Sequence, residues 1–389
     1  MKEICIVTNY FPPETGAASN RISFLATLLA KKGYKVTVLC PMPNYPKGQI
    51  FKGYRRSFFR KEAQANISVH RLWLYATNSK NKWKRLFSML SFSVSLLFYR
   101  CFKKPAEVVI IQSPPLLIAY SAIRLYASKK RKVILNVSDL WPQAGLDLGA
   151  LKKGKFYNYL KTIEAYNYTK ADMVMGQSQE ILDHVRSIIH PQKEMVLYRN
   201  FPDIKFNTDS TISINAPVKI IYAGLLGVAQ GILELCKHIK LPKNIELHIY
   251  GDGPEKQALL QYLNSANKNN IICHGEVSKY ELHTLYENHH IALVPLVRPI
   301  LGSVPSKIFE IAHFGLPVLY MAGGEGEHIV KKHALGYVIN TQDYKELNET
   351  LSTLKVRDLL DNRNEIKAMA KKYFVIEKQL QQLLNAIEA

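Results

Sequence analysis

Short apolar runs alternate with helical patterns twice along this chain, and that alternation limits the fold more than any other feature. In the first pass Ile4–Thr8 is apolar, and Asn9–Ala18 holds two prolines and Gly16. Asn20–Lys32 then carries Ile22, Leu25, Leu28 and Leu29 at helical spacing, Gly33 closes it, and Tyr34–Cys40 is apolar again. This is a βαβ unit, the building block of a parallel sheet. Further apolar runs lie at Val108–Gln112, Val133–Val137 and Asp172–Gly176. The pattern restarts after Asp203. Residues 207–217 read as a polar linker, Val218–Ala223 as a strand, Gly224–Gly231 as a loop and Ile232–Ile239 as a helix. Ile245–Tyr250 is a strand, followed by Gly251–Pro254 and a helix through Tyr262; Ile271–His274, Ile291–Pro295 and Pro317–Met321 continue the series. No period of 20–50 residues recurs, which excludes a repeat array. A chain of 389 residues suits two domains rather than one core. The expectation is an α/β protein of two successive doubly wound parallel-sheet domains, whose ligands bind beyond the carboxyl ends of the strands.

Charge is distributed unevenly. Residues 1–205 hold 33 Lys and Arg against 12 Asp and Glu, whereas residues 206–389 hold 19 of each, so the whole excess of +21 lies in the first half. Such asymmetry marks a surface that meets an anionic partner, nucleic acid or phospholipid, or else a basic surface serving only solubility. No helix-turn-helix, RRM or zinc pattern accompanies the basic residues, so nucleic acid is not the expected partner. The stretch Leu86–Tyr99 is apolar over 14 residues with four serines, too short to span a bilayer. Ser88, Ser91 and Ser95 would form one polar stripe. Lys80, Lys82, Lys84 and Arg85 precede the stretch, Arg100, Lys103 and Lys104 follow it, and Trp73, Tyr75 and Trp83 lie near. It fits either a core or groove-lining helix or a helix lying in a membrane interface. The five scattered cysteines have no metal or redox spacing, and no secretory signal is read at the start of the sequence, so a cytoplasmic chain is the expectation.

The strongest local signal is Val304–Ala312, followed by Phe314-Gly315-Leu316-Pro317-Val318. Ser303 is expected to cap a helix starting near residue 305, with Pro305 in its first turn. Free N–H groups there would face an anion. Ser306, Lys307 and Glu310 would put a donor, a cation and a carboxylate on one face, a combination suited to a nucleoside diphosphate. The same spacing also describes a capped surface helix with an ordinary ion pair. The 12 histidines form no metal-ligand pattern, and adjacent His289 and His290 diverge on a helix, so no metal is expected.

Pro-Ser-Lys-x-x-Glu followed by Gly-x-Pro-Val resembles the C-terminal signature of the retaining glycosyltransferases of family 4. The likeness extends along the chain: Asn9–Glu14 with Gly16, Asn20 and Arg21; Pro43–Gly48; Asp139–Pro142; Ser178–Glu180; Asn200 with Asp203; Gly224–Gly231; and Gly251–Pro254. Several of these segments are similar to the branch that builds bacterial capsule, O-antigen and exopolysaccharide. The resemblance implies the GT-B architecture, two Rossmann-like domains facing across a cleft. Residues 1–205 would bind the acceptor, 206–370 the nucleotide-sugar donor, and 371–389 would form a C-terminal helix returning to the first domain. It implies a metal-independent transferase without cofactor, of hexosyl or N-acetylhexosaminyl type. The donor would be a UDP-sugar and the acceptor a polyprenyl-diphosphate-linked saccharide at the anionic inner leaflet, to which the protein binds peripherally. Lys307, Asp139 and Arg21 would be catalytic. Glu310, Ser306, Lys307, Gly16, Gly224, Gly227, Val277 and Arg298 would hold the donor, and Asn44, Tyr45 and Trp141 the acceptor. The chain departs from the family where it has Gly302 in place of the first glutamate of Glu-x7-Glu, and where the Gly224–Gly231 loop carries no cation. A nucleotide-sugar epimerase of similar fold, and a basic nucleic-acid-binding protein, are the competing readings.

Overall fold

The computed structural model describes residues 2–64, 66–79, 81–147, 149–189, 193–202, 204 and 217–388. Asp203, the expected boundary at 205/206, all but the last residue of the expected linker, and Lys80 lie outside the described residues. The chain divides into two compact units, Met1–Asn200 with Lys378–Ala389, and Phe201–Glu377.

The first unit holds strands β1 (Glu3–Val7), β2 (Lys35–Pro41), β3 (Phe59–Gln64), β4 (Ile67–Leu72), β5 (Val108–Ser113), β6 (Lys132–Val137), β7 (Met173–Gly176) and β8 (Glu194–Leu197). Their order is β3-β4-β2-β1-β5-β6-β7-β8. Every pair is parallel except β3 with β4. The order reverses at β1, which lies between β2 and β5, with Ile4 opposite both Val36 and Val108. Helices α1 (Ala17–Lys31), α2 (Lys82–Phe102), α3 (Leu116–Tyr126), α4 (Gln143–Asp147), α5 (Lys155–Lys170) and α6 (Gln179–Ile188) complete this part of the chain. All six residues of β5 are buried, as expected of parallel strands covered on both faces. The hairpin of β3 and β4 was not expected. Phe59–Gln64 is polar and exposed because it pairs on one side only, so it carries no apolar run.

The second unit holds β9 (Val218–Ala223), β10 (Ile245–Tyr250), β11 (Ile271–Gly275), β12 (Ile291–Pro295), β13 (Val318–Met321) and β14 (Gly336–Val338), all parallel, in the order β11-β10-β9-β12-β13-β14. Its helices are α7 (Ile232–His238), α8 (Lys256–Ser265), α9 (Lys279–Glu287), α10 (Lys307–His313), α11 (Gly324–Lys332), α12 (Tyr344–Thr353) and α13 (Val356–Tyr373). Ile220, Tyr222, Leu247, Ile249, Leu293 and Leu319 form the centre of its core.

The segment expected as one helix over 371–389 begins inside α13 and continues, after a break at Phe374, as α14 (Ile376–Glu388). Its residues from Lys378 onward belong to the first unit. There Tyr34 Oη donates to Glu388 at 2.8 Å, and Gln379 Oε1 accepts from the Arg199 amide at 2.7 Å.

Candidate functional site

Two clusters, one in each unit, form at the carboxyl ends of strands. In the second unit Lys307 opens α10, and its Nζ lies 5.6 Å from the centre of the Tyr222 ring at the end of β9. A Cβ on Gly224 would stand 2.4 Å from that Nζ. Glycine therefore leaves room for an ammonium against the backbone of the β9 loop. The next loop is equally close: a Cβ on Gly251 would meet Gly224 O at 1.8 Å, and Gly224 N and Leu226 N donate to Tyr250 O and Asp252 O. Burial pulls the Lys307 amine down from 10.5 to about 8, with Glu310 acting the other way.

Glu310 follows one turn later and is largely buried; its Oε1 lies 3.2 Å from His283 Nε2. His283 comes from α9, and its ring leans on Phe314 at 4.9 Å. Sequence spacing gave no sign of this histidine, because it lies 27 positions from Glu310, with β12 between the two helices in the chain.

The expected cap is corrected. The helix begins at Lys307, not near 305, with Ser306 as its N-cap and no side-chain cap bond. The Ile308 and Phe309 amides already donate to Pro305 O and Ser306 O in tight turns, which removes those two from the row of free N–H groups expected there. Arg298 is exposed beyond β12, beside Val297, whose amide donates to Ala229 O of the β9 loop. Gly227 lies in that loop, where its Cβ would approach Gln230 Oε1 at 3.1 Å. Val277 is half-buried, just ahead of the capping box of Ser278 and Glu281.

In the first unit Arg21 is held by Gln177, whose Oε1 accepts from Nη1 at 2.5 Å, while Gln177 Nε2 donates to Ser138 O. Arg21 is therefore not the solvated side chain that its place in the first turns of α1 permits. Its Nε is buried without a hydrogen-bond partner. Burial lowers the guanidinium and Asp139 raises it; burial likewise raises the Asp139 carboxyl, and Arg21 opposes that. Gln177 escaped sequence reading, although it directly follows β7, where active-site groups collect.

Gly16 caps α1 with φ +152°, and its Cβ would lie 3.7 Å from Tyr45. Tyr45 meets Tyr10 edge-on at 5.4 Å. Glu14 holds the two loops together: its buried carboxylate accepts from the amides of Asn44 (2.6 Å), Tyr45 (2.8 Å) and Phe11 (3.4 Å). Trp141 lies elsewhere, packed against Leu116, Leu160 and Ile163.

The basic, apolar segment is one helix, α2, capped by Asn81. Two of the expected stripe's serines, Ser91 and Ser95, face inward. Ser91 Oγ accepts from Tyr75 N at 2.8 Å, and Ser95 Oγ donates to Trp73 O at 2.7 Å. The outer face is apolar: Trp83, Phe87, Leu90, Val94, Leu97, Phe98 and Phe102 are all exposed, at steps of three and four apart from the adjacent Leu97 and Phe98. No helix among the described residues is long and apolar enough to cross a membrane.

Two family models match consecutive parts of the chain, a glycosyl transferase 4-like domain over residues 16–200 and glycosyl transferases group 1 over residues 207–373. No curated protein sequence matches. Among solved structures, sucrose-phosphate synthase from Thermosynechococcus elongatus is 13% identical with a TM-score of 0.74, covering 100% of this chain and 98% of its own. HepE of Anabaena, in complex with UDP and glucose, is 12% identical with a TM-score of 0.71, covering 100% of both chains. The lipopolysaccharide outer core galactosyltransferase WaaB is 15% identical with a TM-score of 0.67, covering 99% of both. At such identities the likeness establishes the GT-B fold.

Proposed function

The chain belongs to the family 4 glycosyltransferases of GT-B fold, and from that premise we propose that it transfers a sugar, with retention, from a UDP-sugar to a polyprenyl-diphosphate-linked saccharide. The observation that carries the donor half is the Lys307 ammonium seated against Gly224 with the Glu310 carboxylate one turn away. Lys307 neutralises the departing diphosphate, helped by Arg298, while Glu310 accepts from the ribose hydroxyls. The bond from the anomeric carbon to the diphosphate oxygen breaks, and the acceptor oxygen bonds to that carbon on the same face. The acceptor's proton passes to the leaving phosphate. Fixed positive charge stabilises the transition state without a metal. Uridine is supported by the solved likeness that holds UDP.

Arg21 and Asp139 orient the acceptor and the transferred sugar, and Tyr10, Asn44 and Tyr45 receive the acceptor's carrier. The lipid link rests on α2. Its apolar face is flanked by Lys82, Lys84 and Arg85 at one end and Arg100, Lys103 and Lys104 at the other, which suits an anionic bilayer surface. Arg85 acts electrostatically on Tyr10, and a Cβ on Gly48 would collide with the Asn78 backbone at 2.1 Å. The start of α2 therefore adjoins the Tyr10 and Tyr45 loops. A carrier lipid lying along α2 would present its diphosphate to them. The whole serves cell-surface polysaccharide synthesis at the inner face of the cytoplasmic membrane.

The test is transfer of radiolabelled sugar from UDP-sugars to polyprenyl-diphosphate disaccharides in anionic vesicles, with EDTA present. Label in the lipid extract with unchanged anomeric configuration supports the reading. Free sugar or an epimerised nucleotide-sugar as the only product, or a rate abolished by EDTA, contradicts it.

A further inference from the structure

A second basic cluster lies away from the sugar-transfer residues. Arg100 is in the last turn of α2, Tyr126 ends α3, and Arg131 stands one residue before β6. The Arg100 and Arg131 segments lead into the amino ends of β5 and β6, whereas Asp139 and Gln177 follow the carboxyl ends of β6 and β7. A six-residue strand separates the two levels by about 20 Å.

The three groups converge with unused donors. Tyr126 is 1% exposed, and its buried hydroxyl has no hydrogen-bond partner. Arg100 Nε is likewise buried and unpartnered. Arg131 donates Nη1 to Tyr126 O at 3.1 Å, and both guanidiniums act electrostatically on the Tyr126 hydroxyl. Burial and the neighbouring Arg100 hold Arg131 below its usual range, with no carboxylate opposing them. Among the described residues neither arginine forms an ion pair. The carboxyl ends of α2 and α3 supply only partial negative charge. Two clustered guanidiniums beside an unsatisfied hydroxyl are costly unless an anion completes them.

Phosphoryl oxygens match this donor set, since arginines engage them through paired hydrogen bonds. The surroundings point to a lipid source. Phe98 and Phe102, 63% and 80% exposed, continue the apolar face of α2 at this same end, and exposed Lys103, Lys104, Lys129 and Lys130 flank the cluster in sequence. We infer that Arg100, Arg131 and the Tyr126 hydroxyl form a seat for the phosphoryl headgroup of an anionic phospholipid, distinct from the sugar-transfer site. This rests on the reading that α2 meets the membrane.

Full-length protein would be co-sedimented with phosphatidylcholine vesicles containing phosphatidic acid or phosphatidylserine, matched in zeta potential. The wild type should bind the phosphatidic acid vesicles about tenfold or more tightly, because diffuse attraction alone responds only to the potential. Arg100→Gln/Arg131→Gln should abolish that preference. Lys129→Gln/Lys130→Gln, which removes the same charge, should weaken both bindings and keep it. Tyr126→Phe, a change that spares the core, should reduce the preference several-fold. Equal binding of the two vesicles by the wild type, or a preference surviving in the double arginine variant, overturns the seat. So does protection by glycerol 3-phosphate at micromolar concentration without vesicles, which would make the ligand soluble. If the seat fails while Phe87→Ser/Leu90→Ser still abolishes binding, the membrane reading of α2 stands. If the wild type binds no vesicle, both fall.

Discussion

Replacing Lys307 with methionine should make the ligand-free protein more stable and the enzyme nearly inactive. The amine sits at about 8 in the folded chain instead of 10.5. The unfolded chain therefore holds its proton more firmly, and the difference corresponds to about 3 kcal/mol of uncompensated charge burial. Below pH ~8 the folded state bears the whole cost. Between about 8 and 10.5 the folded chain releases a proton that the unfolded chain keeps, so wild-type stability rises with pH; above 10.5 both states are neutral and the cost is gone. Methionine fills the stem without the charge. The unfolding transition of Lys307→Met at neutral pH should lie higher by on the order of 6–12 °C, an upper bound at 2–4 °C per kcal/mol, and the gap should close near pH 10.5. Turnover should fall roughly 10²–10³-fold with the loss of leaving-group stabilisation. Differential scanning calorimetry from pH 6 to 10.5, with UDP-release kinetics on the same samples, measures both. A variant less stable than the wild type at neutral pH, or one with full turnover, refutes the reasoning.

Gly224→Ala should act through the same ammonium: its Cβ would stand 2.4 Å from Lys307 Nζ and 2.9 Å from Tyr222 Oη, so kcat should drop by about 10²-fold through displacement of the charge while circular dichroism stays unchanged. Glu310→Ala should remove charged hydrogen bonds contributing about 1.5–3 kcal/mol each, raising the KM for the donor far more than it lowers kcat. Glu14→Gln should leave donor KM alone and raise acceptor KM, because the carboxylate that accepts from the Asn44 and Tyr45 amides sets the loop carrying them. Steady-state kinetics with each substrate varied in turn separates these effects.

The alternation of the two domains was legible because buried parallel strands such as β5 and β9 are predominantly apolar runs separated by helices. β3 and β8 were not, since their residues are polar, exposed or few, and β4, though buried, has its apolar residues interrupted by Ser68, His70 and Arg71. On α10, Lys307 and Glu310 stood out because three-residue spacing is a local property. Gln177 and His283 did not, because neither contact is local: Arg21 meets Gln177 across 156 positions and His283 meets Glu310 across 27. The serine stripe of α2 shows the opposite limit. Periodicity revealed two faces, but only the carbonyl of Trp73 and the amide of Tyr75, on a segment distant in sequence, decided that Ser91 and Ser95 turn inward. Ser303 failed as a cap for a local reason, because Pro305 has no N–H to offer it and the helix opens only at Lys307, with Ser306 in the cap position.

The most direct measurement of the central claim is the thermal shift of the full-length protein across UDP-, GDP- and ADP-sugars, repeated with Glu310→Ala. A UDP-sugar at 100 times its Kd should add ~2.7 kcal/mol of stability to the wild type and clearly less to the variant at the same concentration. No shift with any nucleotide-sugar, or a shift that Glu310→Ala leaves intact, would contradict the assignment of the donor site.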